Sequence, residues 1–160
     1  MSRLGAFLIV SVITSVGFAQ QDETHASGEI YAMAAVVGSP SGQSAQGFAI
    51  GGAWRQSPKL SLVAEFGRHF ESSGNIGFNI FMMGPRFYSE EHYRLSGFIQ
   101  VLTGAGQSTS HPTDWGFVFA SGAGMDIRLT ERLLLRPLQV DWIMPAILRV
   151  SSGFAIRFGQ

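Results

Sequence analysis

The sequence is a succession of short segments in which apolar side chains recur at every second residue. Between 116 and 129 the odd positions carry bulky residues such as Phe117, Phe119 and Met125, whereas the even positions are mostly small or charged. Successive side chains of a β-strand point to opposite faces, so this alternation predicts a strand with one apolar and one polar or small face. Three other segments repeat the pattern: 60–66, 76–84 and 148–158.

Eight candidate strands follow one another along the chain. They span 28–37, 46–55, 60–70, 76–87, 93–106, 115–129, 133–143 and 147–158. Their lengths cluster near the roughly 9–11 residues that a tilted strand needs to cross a bilayer. The connections are expected to alternate between short turns (56–59, 88–92, 130–132) and mostly longer Ser/Gly-rich loops (38–45, 71–75, 107–114), with a tight turn at 144–146. This pattern predicts an all-β fold, an eight-stranded antiparallel up-and-down transmembrane β-barrel with both ends in the periplasm.

The first 19 residues differ from the rest and predict a secretory signal peptide. Arg3 supplies a basic start, an apolar stretch follows over 4–16, and Gly17 and Ala19 provide small residues for cleavage after Ala19. The apolar stretch is short for a spanning helix, and the later run 133–150 is interrupted by charges and prolines. We therefore expect a signal peptide over 1–19, a short segment over 20–27 and one barrel domain over 28–160.

The alternation alone also fits a soluble barrel of the lipocalin kind, in which apolar residues line the interior. Here glycine and alanine are concentrated on the polar face, and the chain contains 20 glycines and 13 phenylalanines. Small residues suit the crowded interior of a narrow barrel, and bulky ones suit contact with lipid. The lipid face is therefore expected to include Phe119 and Ile80.

Charged residues on the small face are expected to pair inside the barrel, because an unpaired buried charge is costly. A last outer turn centred on Pro145 sets Asp141 opposite Arg149, and a turn centred on Glu131 sets Asp126 opposite Arg136. A one-residue bulge near Pro137 makes both pairs inward-facing. The predicted interior network consists of Glu65, Asp126, Arg128, Arg136, Asp141, Arg149 and Arg157. The alternative for these charges is a selective conduction path.

Other functional motifs are weak. Ser108, Ser110, His111 and Asp114 share one outer loop and supply the residue types of a catalytic triad, but a triad needs fixed geometry. His69 with Glu71 is a weaker hint. The four histidines are scattered, so no metal site, cofactor or catalytic residue is predicted. Only one basic residue is lysine and no basic patch occurs, which argues against nucleic-acid binding. Four aromatic residues near strand ends predict an interfacial girdle: Trp54, Tyr93, Trp115 and Trp142.

Five segments resemble the small outer-membrane β-barrel proteins whose architecture is that of the transmembrane domain of outer membrane protein A. These segments are 47–66, 83–87, 122–129, 136–142 and 153–158, and together they extend across the mature chain. The resemblance implies an outer-membrane location, contact with outer-membrane lipids, and recognition of the closing aromatic residues by the barrel-insertion machinery. We also expect the protein to be a monomer.

Three classes of function remain open from the sequence. The leading hypothesis is a structural or integrity protein of the outer membrane, with a plugged barrel and no enzymatic activity. The second is a narrow pore or minor transport component. The third is a lipid-modifying enzyme that uses Ser110 and His111.

Overall fold

The computed structural model describes residues 27–39, 42, 44–71, 77–108 and 115–159, which form eight β-strands. The strands are β1 (Gly28–Gly38), β2 (Ser44–Ser57), β3 (Leu60–Glu71), β4 (Gly77–Tyr88), β5 (Leu95–Ser108), β6 (Trp115–Arg128), β7 (Leu133–Ile143) and β8 (Ile147–Phe158). Among these residues, no helix has the length and apolar character needed to cross a membrane. The predicted signal peptide and residues 20–26 lie outside the described part of the chain.

The strands close into a barrel. Each strand pairs with its sequence neighbours in antiparallel fashion, and β1 also pairs with β8 from Gly28 opposite Phe158 to Gly38 opposite Leu148. The predicted eight-stranded up-and-down topology is thereby confirmed. Closure gives every strand two hydrogen-bonded neighbours, so the sheet has no free edge.

One predicted boundary is wrong at the start of β5. Tyr93 and Arg94 were expected within this strand, but they have φ angles of 49° and 75° and lie in a turn. Backbone hydrogen bonds of 2.8 and 2.9 Å between His92 and Leu95 close this turn. The left-handed conformation cannot continue a strand, so the connection between β4 and β5 runs over 89–94 and is longer than predicted.

The inside and outside faces agree with the alternation in most strands. In β8, for example, Phe154 and Ile156 are 54% and 56% exposed on the outer wall, whereas Ala155 between them is buried. Phe119 shares the outward parity of exposed Phe117 and is itself half-buried.

The prediction for Ile80 is wrong, because this side chain is 3% exposed and faces the lumen. Its neighbour Phe81 is 47% exposed on the outer wall. Both faces of β4 are apolar over this stretch, so hydropathy does not distinguish them. Arg86, which shares the even parity of Ile80, is fully buried. A guanidinium on the lipid face would be costly, and its inward position fixes the orientation of the strand.

The pairing of β7 contains the predicted irregularity near Pro137. Arg136 lies opposite Gly153 and Gln139 lies opposite Ser151, so β7 has one residue more than β8 over this interval. Arg136 lies on one side of the bulge and Gln139 on the other. Because of the bulge, both side chains point toward the lumen, and both are fully buried.

Candidate functional site in the barrel interior

Inward-facing side chains of β3, β7 and β8 form a first group of charges, which we call the Arg149 cluster (Glu65, Asp141 and Arg149). Asp141 lies directly opposite Arg149 in the register. The Arg149 Nε and Nη2 atoms donate hydrogen bonds of 3.1 and 2.8 Å to Asp141 Oδ2. Nη2 also forms an ion pair with Glu65. All three side chains are buried, so one arginine neutralises part of the charge of two carboxylates.

The carboxylates of the Arg149 cluster receive further hydrogen bonds. Gln100 Nε2 donates to Asp141 Oδ1 at 2.7 Å, and Gln139 Nε2 donates to Asp141 Oδ2 at 2.9 Å. The Tyr31 hydroxyl donates to Glu65 Oε2 at 2.9 Å. These donors replace water around the buried carboxylates and reduce the cost of their desolvation.

A second group of charges, which we call the Arg136 cluster, lies closer than the Arg149 cluster to the end of the barrel where β1 begins and β8 ends. It consists of Glu29, Arg86, Asp126 and Arg136. Arg136 donates to both oxygens of Asp126, at 2.7 and 3.0 Å. Its Nη2 also donates to Glu29 Oε1 at 2.8 Å, and Arg86 Nη1 lies 3.5 Å from the same oxygen. Two arginines therefore share one carboxylate oxygen.

Two aromatic rings accompany the arginines of the Arg136 cluster. The guanidinium carbons of Arg86 and Arg136 lie 5.0 and 4.9 Å from the centroid of the Tyr31 ring. The same carbons lie 4.4 and 4.6 Å from the Phe98 centroid. Each guanidinium thus interacts with the electron-rich faces of two rings, which offsets part of the repulsion between the two like charges.

The two clusters are joined into one network. Arg86 Nε donates to Gln100 Oε1 at 2.9 Å, and the amide of the same glutamine donates to Asp141. Tyr31 joins them a second time through its hydroxyl bond to Glu65 and its ring contact with Arg86. Side chains from most of the strands therefore meet across the lumen.

The structure brings together five of the seven residues predicted for the interior network. These are Glu65, Asp126, Arg136, Asp141 and Arg149. Arg157 lies at the edge, with its Nε 3.9 Å from Glu29 Oε2. With Arg157 included, four arginines face the four carboxylates of the two clusters.

The placement of Arg128 in the interior network is wrong. Its side chain is 43% exposed and forms a 2.7 Å ion pair with Glu91 in the connection between β4 and β5. Arg128 is the last residue of β6, so its long side chain extends past the end of the lumen to the neighbouring turn.

Sequence reasoning missed several members of the network: Glu29, Tyr31, Arg86, Phe98 and Gln100. The alternation along the strands could have identified two of them. Glu29 and Arg86 each alternate with outward apolar residues, and because a charge facing lipid is costly, both are expected to face inward. Nothing in the sequence indicates that Tyr31 and Phe98 stack on arginines of other strands. That contact depends on the barrel bringing distant strands together.

The two weak catalytic hints of the sequence lie largely outside the described residues. Ser110, His111 and Asp114 lie outside the described residues, as does the side chain of Glu71. His69 is fully buried and stacks on Phe78 with a centroid distance of 4.7 Å, as part of the packed interior. Across the described ranges, no group of three His, Cys, Asp or Glu side chains could hold a metal ion.

Three of the four aromatic residues predicted for the girdle are exposed tryptophans on the outer wall. Trp54 lies near the end of the barrel where β1 begins and β8 ends. Trp115 and Trp142 lie near the opposite end. Their exposed fractions are 62%, 62% and 48%. Between them the outer wall is a band of large apolar side chains, as a hydrocarbon environment requires.

No protein-family model matches the chain, and no curated protein matches it either. Solved structures do resemble it. The N-terminal β-barrel domain of OprF from Pseudomonas aeruginosa matches with a TM-score of 0.64 and 13% identity, over 82% of this chain and 97% of that one. The outer membrane protein OprG of the same organism matches with a TM-score of 0.63 and 11% identity, over 85% and 97%.

A de novo designed transmembrane β-barrel matches as well, with a TM-score of 0.61 and 17% identity, over 86% of this chain and all of the designed one. At such low identities these likenesses establish the fold of small outer-membrane barrels. A fold shared by natural and designed barrels carries no particular activity with it.

Proposed function

We propose that the protein is a structural component of the outer membrane: a monomeric, plugged barrel without enzymatic activity. The observation that carries this proposal is the continuous side-chain network across the lumen. Arg86, Arg136 and Arg149 are fully buried, and each has a carboxylate or amide partner contributed by another strand. An eight-stranded barrel is just wide enough for its side chains to fill the interior, so a network of this extent supports a plugged lumen.

The apolar outer wall supports placement in a membrane. Large side chains such as Ile99, Phe117 and Phe154 are more than half exposed, which in water would be an aggregation hazard. The fold of small outer-membrane barrels supports the outer membrane in particular. We further propose that both termini face the periplasm and that the barrel-insertion machinery recognises the aromatic residues near the end of β8.

Conductance in planar lipid bilayers tests the plug. The wild-type barrel is expected to insert without producing steady ion current. A variant that removes both cationic bridges, Arg136→Ala with Arg149→Ala, serves as the control for sensitivity, because it withdraws two buried guanidinium groups from the lumen. Steady, reproducible single-channel current from the wild-type protein would contradict the proposal and favour the narrow pore.

Location is tested separately. A C-terminally tagged protein is expected in the outer-membrane fraction of a sucrose gradient. Unheated samples are expected to migrate differently from boiled samples on a denaturing gel, because a closed barrel resists detergent until heated. Recovery from the soluble periplasmic fraction would exclude the membrane role.

A further inference from the structure

Among the described side chains, the outward faces of the eight strands contain a single charged residue, Arg68 on β3. Its neighbours along the strand fix its direction, because Gly67 and His69 are buried toward the lumen whereas Phe66 and Phe70 are exposed on the outer wall. A charge on the lipid face of a barrel is costly, and the cost depends on its depth in the bilayer. An ionisable side chain in this position therefore indicates a binding partner.

Arg68 lies near the end of the barrel opposite to the one where β1 begins and β8 ends. It is three residues from Glu71, where β3 ends, which corresponds to about 10 Å along the strand. Its guanidinium carbon lies 5.1 Å from the centroid of the Phe70 ring, on a residue nearer to that end. Exposed Trp115 and Trp142 mark the membrane interface at the same end. The long Arg68 side chain can therefore place its charge near the level of the lipid phosphates.

The protein supplies neutral polar neighbours to Arg68 but no counter-charge. Within the described part of the chain, its guanidinium contacts the Phe70 ring and has no carboxylate partner. In the register, Arg68 lies opposite Asn79 on β4, and Asn79 lies opposite Gln107 on β5. Directly opposite residues share one face of the sheet, with Cβ atoms about 4.5–5.5 Å apart. One guanidinium and two amides thus form a polar row on an otherwise apolar stretch of the outer wall.

The surroundings of this row combine two chemistries. The planar guanidinium matches the oxygens of a phosphate and binds them bidentately, and the amide of Asn79 can donate a further hydrogen bond. Phe48, which lies opposite Arg68 on β2, and Phe66 are exposed apolar side chains next to it. An anionic lipid offers a phosphate and hydrocarbon in one molecule, whereas a soluble anion offers only the first.

We propose that Arg68 binds the phosphate of an anionic lipid in the leaflet at this end of the barrel, with the acyl chains of that lipid against Phe48 and Phe66. The proposal rests on the proposed function, because lipid reaches the outer wall only when the barrel is in a membrane. It goes beyond general contact with lipid, since it assigns one headgroup charge to one residue.

Tryptophan fluorescence provides the test, with a reporter placed beside Arg68. Phe48→Trp is combined with Trp54→Phe, Trp115→Phe and Trp142→Phe, so that position 48 carries the one tryptophan. The barrel is reconstituted in phosphatidylcholine vesicles that contain a small fraction of phosphatidylglycerol or phosphatidylcholine with brominated acyl chains. Phosphatidylglycerol is expected to quench this tryptophan with a relative association constant about fivefold higher, as one cation near an anionic lipid provides.

Two charge variants of this reporter separate the site from the general charge of the protein. Arg68→Gln is expected to abolish the preference for phosphatidylglycerol, and a gel shift between unheated and boiled samples verifies that the variant is folded. Lys59→Gln is the matched control, because it removes the same charge from the opposite end of the barrel, where Lys59 pairs with Glu90. This control is expected to retain the preference.

A second reporter tests whether the site is local. Trp54→Phe with Trp115→Phe leaves Trp142, whose register neighbours Ser121 and Leu148 are uncharged. Both brominated lipids are expected to quench Trp142 equally. A preference for phosphatidylglycerol of the same size at Trp142 would show a general enrichment of anionic lipid around the barrel and would overturn the Arg68 site.

Three results at position 48 would also overturn the proposal. Equal quenching by the two lipids shows that no anionic lipid is preferred there. An unchanged preference in Arg68→Gln assigns the preference to another group. A preference that inorganic phosphate removes, but sodium chloride of equal ionic strength does not, assigns the site to free phosphate. Failure of the proposed function gives a different result, because a protein outside the bilayer shows no quenching of either reporter by either lipid.

Discussion

The two charged clusters of the lumen neutralise their charges in opposite ways. In the Arg149 cluster one arginine serves two carboxylates, and amide and hydroxyl donors supply the remaining hydrogen bonds. In the Arg136 cluster two arginines share Glu29, and aromatic rings lie over both guanidinium groups. The first has an excess of negative charge and the second has crowded positive charge, and Gln100 connects them.

The difference shows two ways in which buried charged side chains of a narrow lumen can be paired. Each cluster alone is unbalanced or crowded, and hydrogen bonds and ring contacts from neighbouring strands offset part of that cost. The stability that is lost when one charged residue is removed should therefore depend on how many buried charged groups it leaves without a partner. The Arg149 cluster has a single cation and is expected to be the more vulnerable of the two.

The largest effect is expected for Arg149→Ala. This change leaves Glu65 and Asp141 buried without their cation, and breaking a buried ion pair typically costs about 3–5 kcal/mol. The free energy of unfolding in lipid vesicles, measured with urea, checks it. In a double-mutant cycle, Asp141→Ala with Arg149→Ala should lose less than the sum of the single changes. Additive losses would show that the two side chains do not interact.

An arginine placed on the outer wall should show how much stability the ion pairs of the two clusters provide. Phe81→Arg puts a guanidinium in the apolar outer band without a carboxylate partner, at an expected cost of about 2–4 kcal/mol near the bilayer midplane. The same unfolding assay measures it, with Phe81→Leu as the control for lost aromatic area. A harmless Phe81→Arg would show that the inside and outside faces of β4 are reversed.

A smaller effect is expected for Arg86→Met in the Arg136 cluster. Glu29 retains Arg136 at 2.8 Å, so the main loss is the hydrogen bond to Gln100. An unsatisfied buried acceptor costs about 1–3 kcal/mol. Arg136→Met should destabilise more, because Asp126 then loses both of its bonds. Equal losses for the two variants in the urea assay would contradict the shared-carboxylate geometry.

The smallest effect is expected outside the lumen, at the exposed Lys59–Glu90 ion pair of 2.8 Å. The hydrogen bond from Lys59 and its positive charge lower the pKa of Glu90. The resulting stabilisation is present above the ordinary pKa of 4.5 and is lost as the pH falls through the lowered value. Lys59→Gln should leave stability at pH 7 unchanged within error, since exposed pairs contribute little. A loss of stability as large as that caused by Arg86→Met would show that exposed and buried ion pairs contribute equally to the stability of this barrel.

The Asp141–Arg149 contact was accessible from the sequence because a tight turn and a regular hairpin fix the register. The bulge near Pro137 was accessible as well, since charges of opposite parity had to face one lumen. Ile80 was placed wrongly because both faces of β4 are apolar, and only the position of Arg86 distinguishes them. Arg128 was placed wrongly because parity gives a direction but does not tell where the lumen ends.

The sequence by itself determined the number of strands, their antiparallel order and most of their faces. These properties follow from short-range alternation and turn residues, which act within one hairpin. Only the tertiary structure decided which charges meet across the lumen and that Tyr31 and Phe98 stack on two arginines. Such contacts join residues of different hairpins. Their geometry depends on how the closed barrel tilts and staggers its strands, which no local pattern specifies.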